Sequence, residues 1–124
     1  MNQSVVNPID GPAALYNPPL LEEVLKTLTA DPSIDAVILH ISTAFNLITT
    51  PEVRAMFKSR IAAFNKQYPG KPVVVAVDGL ERSAGEVERI VRELRDADIT
   101  TYSSLRAACR ALKHLADYYS FRAS

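Results

Sequence analysis

The chain of 124 residues has little of what most chemistry-bearing small domains display. It has one cysteine, Cys109, so an intrachain disulfide and any multi-cysteine zinc or iron–sulfur site are excluded. Tryptophan is absent, and histidine occurs only as His40 and His114, which leaves few groups for acid–base work. Fourteen basic and fourteen acidic residues cancel, removing the basic surplus that a nucleic-acid binder needs. The longest apolar runs, AVILHI and VVVAV, fall far short of the roughly 20 residues that span a bilayer. Met1–Pro8 has no basic segment leading into an apolar core, so no secretory signal is expected. Only four glycines are present, and neither G-x-G-x-x-G nor G-x-x-x-x-G-K-[ST] occurs, so ATP or NAD binding by these residues alone is not expected. Together these absences point to a reduced, cytoplasmic domain that binds neither nucleic acid nor membrane.

What remains is ample for a fold. The hydrophobic fraction of 48% and the charged fraction of 23% are ordinary for a globular domain. At this length about two-thirds of the unfolded surface can be buried without disulfide or metal. Ala36–Ile41 and Pro72–Val77 are almost continuously apolar and β-branched, the pattern of strands covered on both faces in a parallel sheet. Ile99–Tyr102 is a weaker strand candidate. Val5–Ile9 is a fourth, confined to an edge or a strand end by Pro8.

Helices lie between the strands. Asn17 and Pro18 start the first, whose stripe is Leu21, Val24, Leu25 and Leu28, and Asp31-Pro32 ends it. Thr50-Pro51 opens the second, with Val53, Phe57, Ile61 and Phe64 on one face and Pro69-Gly70 as its stop. Ser83 and Glu86 form a capping box for the third, with stripe Val87, Ile90, Val91 and Leu94. The last starts near Ser104 and is expected to bury Leu105, Ala108, Cys109, Leu112 and one of Leu115 or Tyr119. The order (β)αβαβαβα predicts one α/β domain over 1–124, a three-layer α/β/α sandwich with an open, flavodoxin-like parallel sheet of three to four strands.

Ligands of such sheets lie beyond the carboxyl ends of the strands. That rule selects the loops Ser42–Thr50, Asp78–Ser83 and Tyr102–Ser104, and also Asp10 if Val5–Ile9 runs parallel to the rest. Ser42, Thr43 and Asn46 bring hydroxyls and an amide, and lead to a helix whose N-terminal amides can face an anion. Against this, Thr49 or Thr50 can simply cap that helix. Asp78 and Gly79 form a tight turn before Ser83. Asp78 alone does not make a phospho-receiver, which also needs a pair of acids ending an earlier strand, where this chain has His40-Ile41-Ser42-Thr43. His40, within an apolar run, reads as a satisfied core or layer-edge residue, and spacing does not show that it meets Ser42 or Ser83. Cys109 reads as a small hydrophobe on the last helix, inert when buried. No catalytic set and no metal site are expected.

Asn7-Pro8-Ile9-Asp10 followed by a helix, then Asp31-Pro32-Ser33-Ile34-Asp35-Ala36-Val37-Ile38, resembles the NDP-forming (ADP-forming) acyl-CoA synthetases of the succinyl-CoA synthetase superfamily. Gly70-Lys71-Pro72-Val73-Val74-Val75, the stretch Leu94–Ser104, and the alanine-rich Arg106–Leu112 continue the likeness in order over nearly the whole chain. The segment is similar to the C-terminal flavodoxin-like CoA-ligase subdomain. The family joins an acid to CoA at the expense of a nucleoside triphosphate through a phosphohistidine. The resemblance implies a subdomain or small subunit that supports the phosphohistidine step, with a helix N-terminus beyond Ser42–Thr50 aimed at it, and that does not catalyse alone. CoA and ATP with Mg belong to the parent enzyme, and the partners implied are its CoA-binding and ATP-grasp domains. Self-association is left open. Family members carry a glycine-rich turn where this chain has Ser42-Thr43-Ala44-Phe45-Asn46, and neither histidine sits in the phosphohistidine motif. Two other readings stand beside this one: a freestanding regulatory module of receiver-like or anti-sigma-antagonist-like fold with Ser42 or Ser83 as its phosphosite, and a crotonase or serine-peptidase relative, which would need Gly-Gly where Thr43-Ala44 stands.

Overall fold

Two runs of β-branched residues build the sheet. In a computed structural model, described over residues 18–42, 51–79 and 84–123, the elements are α1 (Pro18–Ala30), β1 (Val37–Ser42), α2 (Pro51–Gln67), β2 (Val73–Asp78), α3 (Ala84–Asp96), β3 (Thr101–Tyr102) and α4 (Leu105–Ala123). The strands lie in the order β1-β2-β3 and every pair is parallel. The expected strand Val5–Ile9 and the capping residues Asn17 and Ser83 lie outside the described residues.

Parallel neighbours need crossovers, and right-handed crossovers along one sheet direction put α2 and α3 on the same face. That face holds Val37, Ile41, Val73, Val75 and Val77, packed with Leu21 and Leu25 of α1, Phe57, Ile61 and Phe64 of α2, and Ile90 and Leu94 of α3. Side chains alternate along a strand, so Val74 and Ala76 point to the opposite face. They are buried there along with Ala108 of α4, which packs on all three strands. The result is a three-layer α/β/α sandwich of flavodoxin-like shape.

The stripes of α2 and α3 follow the 3.6-residue period, with Val53, Val87 and Val91 half-buried at their margins. One charged side chain shares the α2 stripe. Arg54 is buried one turn before Phe57, and its Nε donates to Glu93 Oε2 of α3 at 3.1 Å, tying the two helices together.

Covered on both faces, β2 buries all of Val73–Val77. By contrast, β1 is an edge strand among the described residues, and it is not covered as its apolar run suggested. Ile38 and Leu39 are half-buried and His40 is exposed. The last helix departs further. Of its expected buried stripe only Ala108 is buried, Leu112 is half-buried, Cys109 is exposed, and Leu105 and Leu115 are each more than two-fifths exposed. Length explains it. Nineteen residues of helix run roughly 28 Å, whereas a strand of six residues spans about 20 Å. The sheet therefore supports only the alanine-rich first half of α4.

Polar side chains hold the connections. Asn65 of α2 spans its own helix and β2: its side-chain carbonyl accepts from Val73 N–H at 2.8 Å and its amide donates to Val73 C=O at 3.0 Å. Lys71 Nζ donates to the Thr29 and Asp31 carbonyls at 2.6 and 2.8 Å, satisfying orphan groups at the end of α1. Asp31 Oδ1 accepts from both the hydroxyl and the backbone N–H of Ser33, which holds its carboxyl below the usual carboxylate range. A depressed folded pKa adds stability that is present above the unfolded value and fades as pH falls through the folded one.

The α3–β3 turn closes as a Schellman motif, with Ile99 N–H donating to Leu94 C=O at 3.0 Å and Asp98 N–H to Arg95 C=O at 2.9 Å. Its hydrophobic contact is Leu94 against Ile99, both buried in the core. The left-handed position is taken by Asp98, with φ of 61°, where glycine carries no Cβ penalty.

Two consequences are testable by chemical denaturation. Asp98→Gly is expected to stabilise the chain by about 0.5–1 kcal/mol, because the exposed aspartate contributes only local bonding while its Cβ strains the turn. Asn65→Ala is expected to destabilise it by about 1–3 kcal/mol, by stripping partners from both backbone groups of Val73. A neutral result for the second would mean that the β1–β2 ladder alone fixes the start of β2.

Candidate functional site

Register decides what meets at the carboxyl edge. Val37 pairs with Val73, and each step along the pair repeats the match, so His40 lies beside Ala76 and Ser42 beside Asp78. Residues two apart share a face, so His40, Ser42, Ala76 and Asp78 all stand on the α4 face of the sheet. Ala76 offers only a methyl group next to His40. The imidazole leans over it diagonally, and its Nε2 lies 2.7 Å from Asp78 Oδ2.

This pair decides between the two places expected for His40, core and layer edge, in favour of the edge. The ring is satisfied by a carboxylate, as a layer-edge histidine would be, yet its side chain is 42% exposed and that of Asp78 is 38% exposed. The cause is the edge position of β1, which an unbroken apolar run does not reveal. A carboxylate only accepts hydrogen bonds, so the shared proton sits on Nε2. In the neutral ring Nδ1 is then the acceptor. Among the described residues His40 makes no other hydrogen bond.

Of the residues selected from sequence, Ser42, Asp78 and Gly79 come together at this edge. Ser42 is half-buried as the last residue of β1, Asp78 closes β2, and Gly79 follows it exposed. Asp10, Thr43, Asn46 and Ser83 lie outside the described residues. At the third strand end Ser104 Oγ accepts from Ala107 N–H at 3.0 Å, so this residue caps α4. His114 lies exposed on α4, well along the chain from the pair.

Sequence reasoning missed the His40–Asp78 pairing. A signal for it existed. Laying the two apolar runs side by side as parallel strands puts Ser42 opposite Asp78, and His40 is then two positions back on the same face.

Among the described residues at this edge, the groups that can carry charge are Asp78 and His40, and Asp78 has a further interaction besides the imidazole. The carboxylate meets either a neutral or a protonated ring. Neither state favours a bare phosphate at the pair itself, since Asp78 stands 2.7 Å behind the imidazole. Elsewhere among the described residues, a crevice between α2 and α3 is lined by Arg54, Phe57, Lys58, Ile90, Glu93 and Leu94. It encloses about 10 Å³, room for at most about one water. No cluster of three or more His, Cys, Asp or Glu side chains that could hold a metal ion occurs among the described residues. No helix among them is long and apolar enough to cross a membrane.

A double-mutant cycle with His40→Ala and Asp78→Ala should return a coupling of about 0.2–1 kcal/mol at neutral pH, the range of exposed ion pairs. A coupling above about 2 kcal/mol would place the pair in a far drier setting than its exposure shows. Comparison of the chain with protein-family models, with curated proteins and with solved structures returned no match.

Proposed function

We propose that this chain is a subdomain or small subunit of an NDP-forming acyl-CoA synthetase, which joins a carboxylic acid to CoA with a nucleoside triphosphate and releases NDP and phosphate. It takes part through assembly and through support of the phosphohistidine step, and it does not form the thioester alone. The observation that carries this reading is the pairing at the carboxyl ends of the sheet. Two parallel strands end side by side at Ser42 and Asp78, both half-buried and polar. In open α/β sheets this is where ligands and partner groups dock. The segment order quoted for the resemblance agrees with the observed elements: Val37–Ser42 follows the Asp31–Ala36 connection, and Thr101–Tyr102 precedes an alanine-rich helix.

The division of labour follows from the residues. CoA and ATP with Mg are assigned to a CoA-binding domain and an ATP-grasp domain of the same enzyme, in the cytoplasm. The positions assigned to those partners are Asp10, Ser42, Thr43, Asn46, Asp78, Gly79 and Ser83. Asp78 supplies negative charge there. Contact with the partner therefore runs through the hydrogen-bonding groups of Ser42 and His40, and phosphate is left to backbone amides and to the other domains.

The test is reconstitution. The chain incubated with CoA, ATP–Mg and short carboxylic acids should give no acyl-CoA. Adding the CoA-binding and ATP-grasp domains of an NDP-forming acyl-CoA synthetase from the same source should give thioester at a rate that depends on the presence of this chain. Thioester from the chain alone would overturn the auxiliary role. Activity of the added domains that is indifferent to the chain would overturn the assignment altogether.

A further inference from the structure

We infer that His40 is a reactive imidazole, oriented by Asp78, which accepts activated acyl groups on Nδ1. This goes beyond the auxiliary role above and needs neither CoA nor nucleotide. Three features carry it. The Nε2–H is committed to the Asp78 carboxylate at 2.7 Å, which fixes the ring orientation and the tautomer. That commitment leaves the Nδ1 lone pair unshared, and among the described residues His40 has no second hydrogen-bond partner. The side chain is 42% exposed at the end of an edge strand, so an electrophile can reach it. A base whose orientation is set by a third group is the arrangement used in nucleophilic catalysis, here with the imidazole itself as nucleophile.

Charge selects the electrophile. Asp78 repels an incoming phosphoryl dianion, and among the described residues β1 and β2 end without a basic side chain, reading His40-Ile41-Ser42 and Asp78-Gly79. A carbonyl carbon with an uncharged surrounding, as in a thioester or an aryl ester, meets no such barrier. Nδ1 attacks that carbon, the new N–C bond forms, and the C–S or C–O bond breaks with its electron pair leaving on sulfur or oxygen. The acyl-imidazolium loses its Nε2 proton to solvent, helped by the adjacent carboxylate. Water then adds to the carbonyl carbon and imidazole departs and is reprotonated on Nε2. The sum is ester plus water to acid plus thiol or phenol. Asp78 touches no reacting atom, so it is a positioning residue.

The chain carries its own reference in His114, exposed on α4. With p-nitrophenyl acetate and the full chain, His40 should acquire the acetyl group detected by rapid-quench mass spectrometry, about tenfold faster than His114. His40→Gln should remove that adduct and lower p-nitrophenolate release to the level that the remaining nucleophiles, His114 and the exposed Cys109 among them, sustain. Asp78→Asn should bring the two histidines to similar rates, and Asp78→Glu should recover part of the difference. Circular dichroism of each variant separates these outcomes from loss of fold. Acetyl phosphate in place of the aryl ester should acetylate His40 more slowly. Equal labelling of His40 and His114 in the unmutated chain, or labelling of His40 that is unchanged in Asp78→Asn, overturns the inference.

Discussion

Everything at the carboxyl edge depends on one constraint, the register of the parallel pair β1–β2. Side chains on a strand alternate with a period of two, so a slip of one residue would send Val37 and Ile41 out of the core and His40 and Ser42 into it. The cost of that slip is several buried aliphatic side chains, each worth about 1.5–3 kcal/mol in burial. Burial on one face thus places polar groups on the other. His40, Ser42 and Asp78 share a face because Val37, Ile41, Val73, Val75 and Val77 must share the opposite one.

The same register is held from outside the sheet. Asn65 grips both backbone groups of Val73, the residue that faces Val37 at the start of the ladder. Lys71 ties the approach to β2 back to the end of α1 through the Thr29 and Asp31 carbonyls. At the far end of the sheet, the Schellman turn at Asp98 delivers Ile99 into the core just before β3. These polar anchors stand near the amino ends of the strands. The opposite ends can therefore carry groups selected for something other than stability, as the exposure of His40 and Asp78 indicates.

How much of this was legible in the sequence follows from what each signal measures. The apolar runs Ala36–Ile41 and Pro72–Val77 and the helical stripes located every element among the described residues, because burial imposes period and composition directly. They also misled in two places. A run of apolar residues reports covering in sum and cannot tell a central strand from an edge, so β1 reads like β2 and His40 reads as either a core or a layer-edge residue. A stripe reports which side of a helix faces inward but not how far the sheet beneath it extends, so Leu115, one of two candidates at the end of the stripe, lies exposed beyond the sheet. Arg54 shows the converse case, a charge on a buried stripe made tolerable by Glu93 on another helix. Such a partner is invisible until the helices are placed side by side.

The His40–Asp78 contact sits between these cases, since both residues were in view and only their juxtaposition was missing. Strand order, register and a small intervening side chain were all required: His40 reaches Asp78 because the position between them across the ladder is Ala76. A larger residue there would push the imidazole away from the carboxylate without altering any hydrophobic pattern that the sequence displays. The neighbourhood of the pair is thus specified by packing on its own face, where Ala76 and Ala108 are fully buried. The alanines that let α4 lie close to the sheet also leave room for a polar pair at its margin. In this fold the tightest packing and the most exposed chemistry are two ends of one strand pair, and the small residues of β2 and α4 serve both.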